Sequence, residues 1–276
     1  SSARHDVLLI IDGTGSMSGQ IENLKQSFGE VFSEYGGDID LRVDVWNMGD
    51  YRRDTSSEGV VIPIGERLVS ASIRDVIPLI NANRIQHDEA EAYEQALQYA
   101  YHKSKLKRRR WNPRKNSTRT VVLVGDSYAH GWLKKHSPWG KVIIKARGKW
   151  NKESGSRSAA DPSVKKLYND FERRHKHYMG HSVEKAEKEE YAKAFLQLKN
   201  KDQFGGKGSV DIPGEQFKQR PNFERAIEKL RQMGATVHTI SAGNNLVSHS
   251  FMKYVAYKGN GTYTHLKNDN ELKDAL

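Results

Sequence analysis

Apolar residues along this chain fall into short blocks separated by polar punctuation, and the spacing inside each block predicts its conformation. Val7-Leu8-Leu9-Ile10-Ile11 is an unbroken apolar run ending at Asp12. Continuity without alternation predicts a strand buried on both faces, as in a parallel sheet covered by helices. Over residues 18–35, Ile21, Leu24, Phe28, Val31 and Phe32 follow helical spacing, and Gly36-Gly37 ends the stripe. Residues 40–48 alternate and predict a strand, with residues 59–64 as its hairpin partner. A short helix is expected over 70–80 and a longer one over 88–106, with Ala90, Tyr93, Leu97, Ala100 and Tyr101 on one face. Residues 120–124 form a second apolar run, leading into Gly125-Asp126. An amphipathic helix over 223–233 stops at Gly234 and is followed by a strand over 235–241, a helix near 248–257, a strand over 261–266 and a terminal helix from Asp269. Strands alternating with helices predict an α/β fold, a mostly parallel sheet flanked by helices.

The pattern breaks between Gly131 and Pro221. A short strand over 142–144 is followed by a polar run and by charged helical segments near 164–179 and 183–199. Structureless loops of this length are rare in compact domains, so residues 132–220 are expected to be a mainly helical insertion. The α/β body then comprises residues 1–131 and 221–276, an ordinary single-domain size.

Charge separates the same two regions. The chain carries a formal net charge of +11. Residues 132–220 hold 21 Lys+Arg against 11 Asp+Glu, and residues 103–115 add eight bases and no acid, so the rest of the body is acidic. A basic annex on an acidic body fits an anionic partner, nucleic acid or an anionic surface, and equally a solvated insertion. The run from Lys103 to Trp111 is basic with an aromatic beside it, which fits either an anion-binding segment or a helix end where cations suit the macrodipole. No apolar run approaches the roughly 20 residues of a membrane span. With no cysteine in the sequence, disulfides, thiolate metal sites and thiol catalysis are excluded, and an extracytoplasmic location is slightly easier to reconcile than a cytoplasmic one. Residues 1–6 form no apolar signal segment, as expected of a trimmed or processed end.

The chemistry gathers where apolar runs end. After Asp12, Gly13 and Gly15 are expected to release the backbone into a tight turn, so that Asp12, Thr14 and Ser16 converge. One carboxylate and two hydroxyls suit Mg²⁺, Mn²⁺ or Ca²⁺ and suit zinc poorly. Read alone, the stretch serves equally as a cap for the following helix. In an open α/β sheet, however, ligands bind outside the carboxyl ends of the strands. Asp126 ends a second strand there, and Asp88, with Glu89 and Glu91 close behind, opens a helix. Three loops bringing oxygens to one edge favour a metal site.

At these residues the chain resembles a known family. Asp12-Gly13-Thr14-Gly15-Ser16 is similar to the Asp-x-Ser/Thr-x-Ser loop of von Willebrand factor A domains, which carries their metal-ion-dependent adhesion site. The stretch from Asp88 to Leu97 and the stretch Gly125-Asp126-Ser127-Tyr128-Ala129-His130-Gly131 look like the second and third loops of a bacterial-type subgroup also found attached to alpha-kinases. The likeness covers about residues 4–131 and 221–276. It implies a metal held by Asp12, Thr14, Ser16 and Asp126, with Mg²⁺ expected and Mn²⁺ or Ca²⁺ as alternatives. It further implies a non-enzymatic adhesion module, capturing a protein partner that offers Asp or Glu to the metal. Many members supply a Thr from the second loop. None lies near Asp88, so Asp88 is the expected replacement, with Glu91 as the alternative.

Other signals have plainer readings. His177 and His181 share a helical face beside His175, a pair that zinc can use, but the flanks are basic and a solvated helix is the default. His130 and Trp132 either line the mouth of the site or pack beneath it. For hydrolysis, no His stands in a familiar spacing to Ser16, and position 14 is not the second Asp of an Asp-x-Asp phosphatase turn. A metal-dependent phosphate-ester hydrolase is therefore the lesser alternative.

Overall fold

The structure is a computed structural model. It describes residues 4–34, 40–50, 61–64, 91–103, 110–113, 115–132 and 221–266, together with Asn169, Arg173, Lys176, Glu187, Glu190 and Tyr191. The expected helices at 70–80 and from Asp269, most of the insertion, the histidines at 175, 177 and 181, and Asp88 lie outside the described residues.

Six strands form one sheet in the order β3-β2-β1-β4-β5-β6. They are β1 (Arg4–Asp12), β2 (Asp40–Met48), β3 (Val61–Ile64), β4 (Thr118–Gly125), β5 (Ala235–Ser241) and β6 (Asn260–His265). All neighbours pair in parallel except β2 with β3, the expected hairpin at the edge. Among the described residues, the helices with defined bounds are α1 (Ser18–Glu34), α2 (Tyr93–His102), α3 (Phe223–Gln232) and α4 (Leu246–Lys258).

The unbroken apolar run of β1 has the cause its pattern implied. Leu8 and Ile10 join a core with Tyr93, Leu97, Phe223 and Phe251 beneath α2, α3 and α4. Leu9 and Ile11 join a second core on the opposite face with Ile21, Leu24 and Phe28 of α1. All four strand residues are fully buried, each stabilising the fold by about 1.5–3 kcal/mol. With period two, Asp6 and Asp12 share the face of Leu8 and Ile10, at opposite ends of the strand.

At the amino-terminal half of this face an ionic network replaces apolar packing. Lys103 Nζ lies 3.0 Å from Asp44, which also accepts from the Trp46 indole. Trp111 is buried, donates its indole N–H to the Ala100 carbonyl, and has the Lys103 ammonium 5.3 Å from its ring. Arg42 bonds Asp6 at 2.7 Å and the Arg110 carbonyl at 2.5 Å. Two members of the run read as a basic, aromatic-flanked surface are thus core groups. The reading missed this because Asp44, on an alternating strand, supplies the counter-charge that lets Lys103 turn inward.

Candidate metal centre

β1 lies between β2 and β4, with chain order running outward on each side of it. Asp12, at the end of β1, and Asp126, following β4, therefore flank the reversal of strand order, where α/β sheets bind ligands. Past Asp12 the ladder continues for one residue, through the Gly13 amide to the Met48 carbonyl. The turn closes through the Asp12 side chain, whose Oδ1 accepts from the Thr14 amide at 2.9 Å. This is an Asx-type turn, and neither Gly13 nor Gly15 takes a positive φ. The glycine-driven turn expected from the sequence is thus made instead by the Asp12 carboxylate.

The two hydroxyls of this loop bond carboxylates. Thr14 stands before the short 3₁₀ turn Gly15–Met17 and makes no side-chain capping bond. Its hydroxyl instead donates to Asp12 Oδ1 at 2.6 Å and lies 3.3 Å from Ser16 Oγ. Ser16 in turn donates to Asp126 Oδ1 at 3.2 Å. Asp12 Oδ1, Thr14 Oγ1, Ser16 Oγ and Asp126 Oδ1 form a continuous row spaced 2.6–3.3 Å. An octahedral Mg²⁺ site with bonds of 2.0–2.1 Å has an oxygen–oxygen edge of about 2.9 Å, so the spacing fits. Among the described residues no group of three or more His, Asp or Glu side chains is placed to hold a metal. This set differs in kind, with two carboxylates and two hydroxyls.

Burial grades the site from floor to rim. Asp12 and Thr14 are fully buried, whereas Gly15 and Ser16 are exposed and Asp126 is half-buried. Burial pushes the Asp12 carboxyl up to about 7, the nearby Asp126 charge adds to this, and hydrogen bonds from Thr14 and Tyr93 oppose it. Asp126 is raised too, chiefly by burial, against the Ser16 hydrogen bond. A buried pair of like charges is costly without a cation, and a divalent ion would reverse that balance.

Two residues that the sequence did not single out complete the floor. Tyr93, the first residue of α2, donates its hydroxyl to Asp12 Oδ2 at 2.5 Å and accepts from the Ser127 amide at 3.2 Å. Gly125 makes room for it, since a Cβ there would stand 2.1 Å from the phenol oxygen. Periodicity read Tyr93 only as one apolar position on a helical stripe. The available signal was that a buried tyrosine hydroxyl needs a partner. Of the second-loop acids, Glu91 is buried, and its backbone bridges the third loop through Ala129 and the Tyr128 carbonyl. Asp88 lies outside the described residues.

The third loop is fastened from below. His130 is buried, 2.7 Å from Asp50, and its amide donates to Glu94. Trp132 is fully buried against Phe223, Phe251 and Tyr254. Both have the packing role, and neither lines a mouth. The Trp132 indole donates to the Tyr191 hydroxyl, which donates to Ser250 Oγ, both at 2.9 Å. On the far side of the site, Gly243 takes a left-handed φ of 73° close to Asp126, and its carbonyl accepts from both His249 and His265.

No family model and no curated protein matches the chain. Solved structures do. The vWF domain of the type V pili tip protein Mfa5 from Porphyromonas gingivalis superposes with a TM-score of 0.53 at 11% identity, covering 100% of this chain and 93% of that one. Proximal thread matrix protein 1 from the mussel byssus, solved with a zinc-occupied MIDAS motif, gives a TM-score of 0.50 at 11% identity over 99% of this chain. The present chain spans 45% of the length of that mussel protein. At such identities the likeness speaks for the fold, and the fold of this chain is that of a von Willebrand factor A domain, a Rossmann-like α/β sheet flanked by helices.

Proposed function

We propose that this chain is a divalent-metal-dependent protein-interaction module that captures an acidic side chain of its partner. The observation that carries this reading is the row of four oxygens from two strand ends, spaced at octahedral edges, with a buried floor and an exposed rim. In this reading Thr14 and Ser16 supply neutral oxygens, and the Asp12 and Asp126 carboxylates balance the charge. When bound, a divalent cation supplies a Lewis-acidic position that a Glu or Asp of the partner completes. Oxygen-only donors favour Mg²⁺ or Mn²⁺, with Ca²⁺ next. The zinc-occupied motif of the mussel protein makes zinc a necessary arm of the test.

The basic insertion, in this reading, sets partner choice from beside the site. Support comes from Tyr191, which meets Trp132 where the chain leaves the third loop. Nucleic acid or an anionic surface bound through the basic insertion and residues 103–115, with the metal structural, is the second reading, and the burial of Lys103 and Trp111 weighs against the 103–115 part of it.

Calorimetry with Mg²⁺, Mn²⁺, Ca²⁺ and Zn²⁺ on the wild type, Asp12→Ala and Asp126→Ala tests the site. Pulldown with and without chelator tests capture. Unchanged metal affinity in both variants, or capture that survives chelation but falls steeply with salt, would overturn the reading.

A further inference from the structure

The geometry points to Tyr93 as the second loop's contribution to the proposed metal site: a positioning residue whose phenol holds Oδ2 of Asp12 at the floor, where a ligand from that loop was expected. The inference rests on the metal reading of Asp12, Thr14, Ser16 and Asp126. An ionised carboxylate only accepts and a backbone amide only donates. The phenol therefore gives its proton to Asp12 Oδ2 and receives the Ser127 N–H on its oxygen. One neutral hydroxyl thus ties together the end of β1, the start of α2 and the loop after β4.

Its effect on Asp12 is specific. Oδ1 already accepts two hydrogen bonds from Thr14, one from the amide and one from the hydroxyl. With Tyr93 on Oδ2, about three of the four lone-pair directions of the carboxylate are used, and its plane is fixed. Asp12 then contributes charge and orientation, while the exposed Ser16 and the half-buried Asp126 form the rim. A second-loop carboxylate would do this job by adding charge, lowering what the ion can offer a partner. A phenol does it with none. The ring is fully buried and stacked on Phe251 at a centroid distance of 5.7 Å, so the hydroxyl is held rather than free to swing. The absent side chain at Gly125 leaves the space the phenol occupies.

Calorimetric titration of the full chain with Mg²⁺ and Mn²⁺, beside metal-free thermal melts, tests this on the wild type, Tyr93→Phe, Tyr93→Leu, Asp12→Ala and Asp126→Ala. Loss of a group that orients a ligand lowers metal affinity about 10–100-fold. That loss is expected for Tyr93→Phe, with only a few degrees off the metal-free melting temperature because the ring packing survives. Tyr93→Leu should lose a similar factor in affinity while melting well below Tyr93→Phe. Wild-type affinity in Tyr93→Phe, within about twofold, overturns the inference and leaves the site reading intact if Asp12→Ala and Asp126→Ala lose binding. Affinity that falls much further in Tyr93→Leu than in Tyr93→Phe also overturns it, by tracing the effect to packing. No metal binding by the wild type, or undiminished binding by both aspartate variants, removes the site reading and this inference with it.

Discussion

Adding one methyl group at Gly125 should damage this protein more than most core truncations, and the structure says by how much. A Cβ there would stand 2.1 Å from the Tyr93 oxygen, 2.8 Å from Cζ and 2.9 Å from Cε1. Ordinary contacts begin near 3.4 Å, so the phenol must retreat by more than an ångström. The ring cannot slide freely, being fully buried and stacked on Phe251. Overpacking of this kind costs about 1–3 kcal/mol. Losing the hydrogen bond to the Asp12 carboxylate adds about 1.5–3 kcal/mol. Gly125→Ala is therefore expected to destabilise the metal-free fold by about 2.5–6 kcal/mol, measured by urea unfolding. The double variant Gly125→Ala/Tyr93→Phe removes the worst contact, so its loss should fall short of the sum of the two single losses by at least about 1 kcal/mol. A Gly125→Ala loss under about 0.5 kcal/mol, or additivity in the double variant, would refute the packing of Tyr93 against β4.

Four further outcomes follow from the structure. Because burial raises Asp12 to about 7, its contribution to metal-free stability is complete below the ordinary carboxyl range near 4 and is lost as pH rises through about 7. Metal must displace that proton, so affinity should weaken about 15-fold from pH 7 to 5.5 with net proton release shared by the Asp12–Asp126 pair, read by calorimetry in buffers of different ionisation enthalpy. Asp44→Ala takes away the buried counter-charge 3.0 Å from Lys103 and should cost about 3–5 kcal/mol in chemical denaturation. Tyr191→Phe breaks the hydroxyl chain from Trp132 to Ser250 and should cost about 1–3 kcal/mol by the same measurement, without altering metal affinity.

Much of the fold is written in local pattern. The apolar run of residues 7–11, the alternation of β2 and the stripe of α1 each carry their own period, because a strand repeats every two residues and a helix every 3.6. Asp12 and Asp126 were legible as a pair for the same reason: each ends a buried strand, and parallel strands bring like ends to one edge. What the sequence could not give was anything that depends on how one element is rotated above another. Tyr93 reads as an apolar stripe residue until α2 is seen to set its first turn over the end of β1, where the hydroxyl meets Asp12. Gly125 reads as a strand-ending glycine until that ring fills its space. Lys103 and Trp111 read as surface until Asp44 of a neighbouring strand is found beneath them. His130 reads as a candidate for the mouth until Asp50, from the end of β2, is found gripping it below. The sequence by itself determined which residues form the sheet and which strand ends carry the oxygens, since those follow from backbone period and order along the chain. The tertiary structure alone decided which polar groups turn inward and whom they meet, because burial of a charge or hydroxyl depends on a partner far away in sequence.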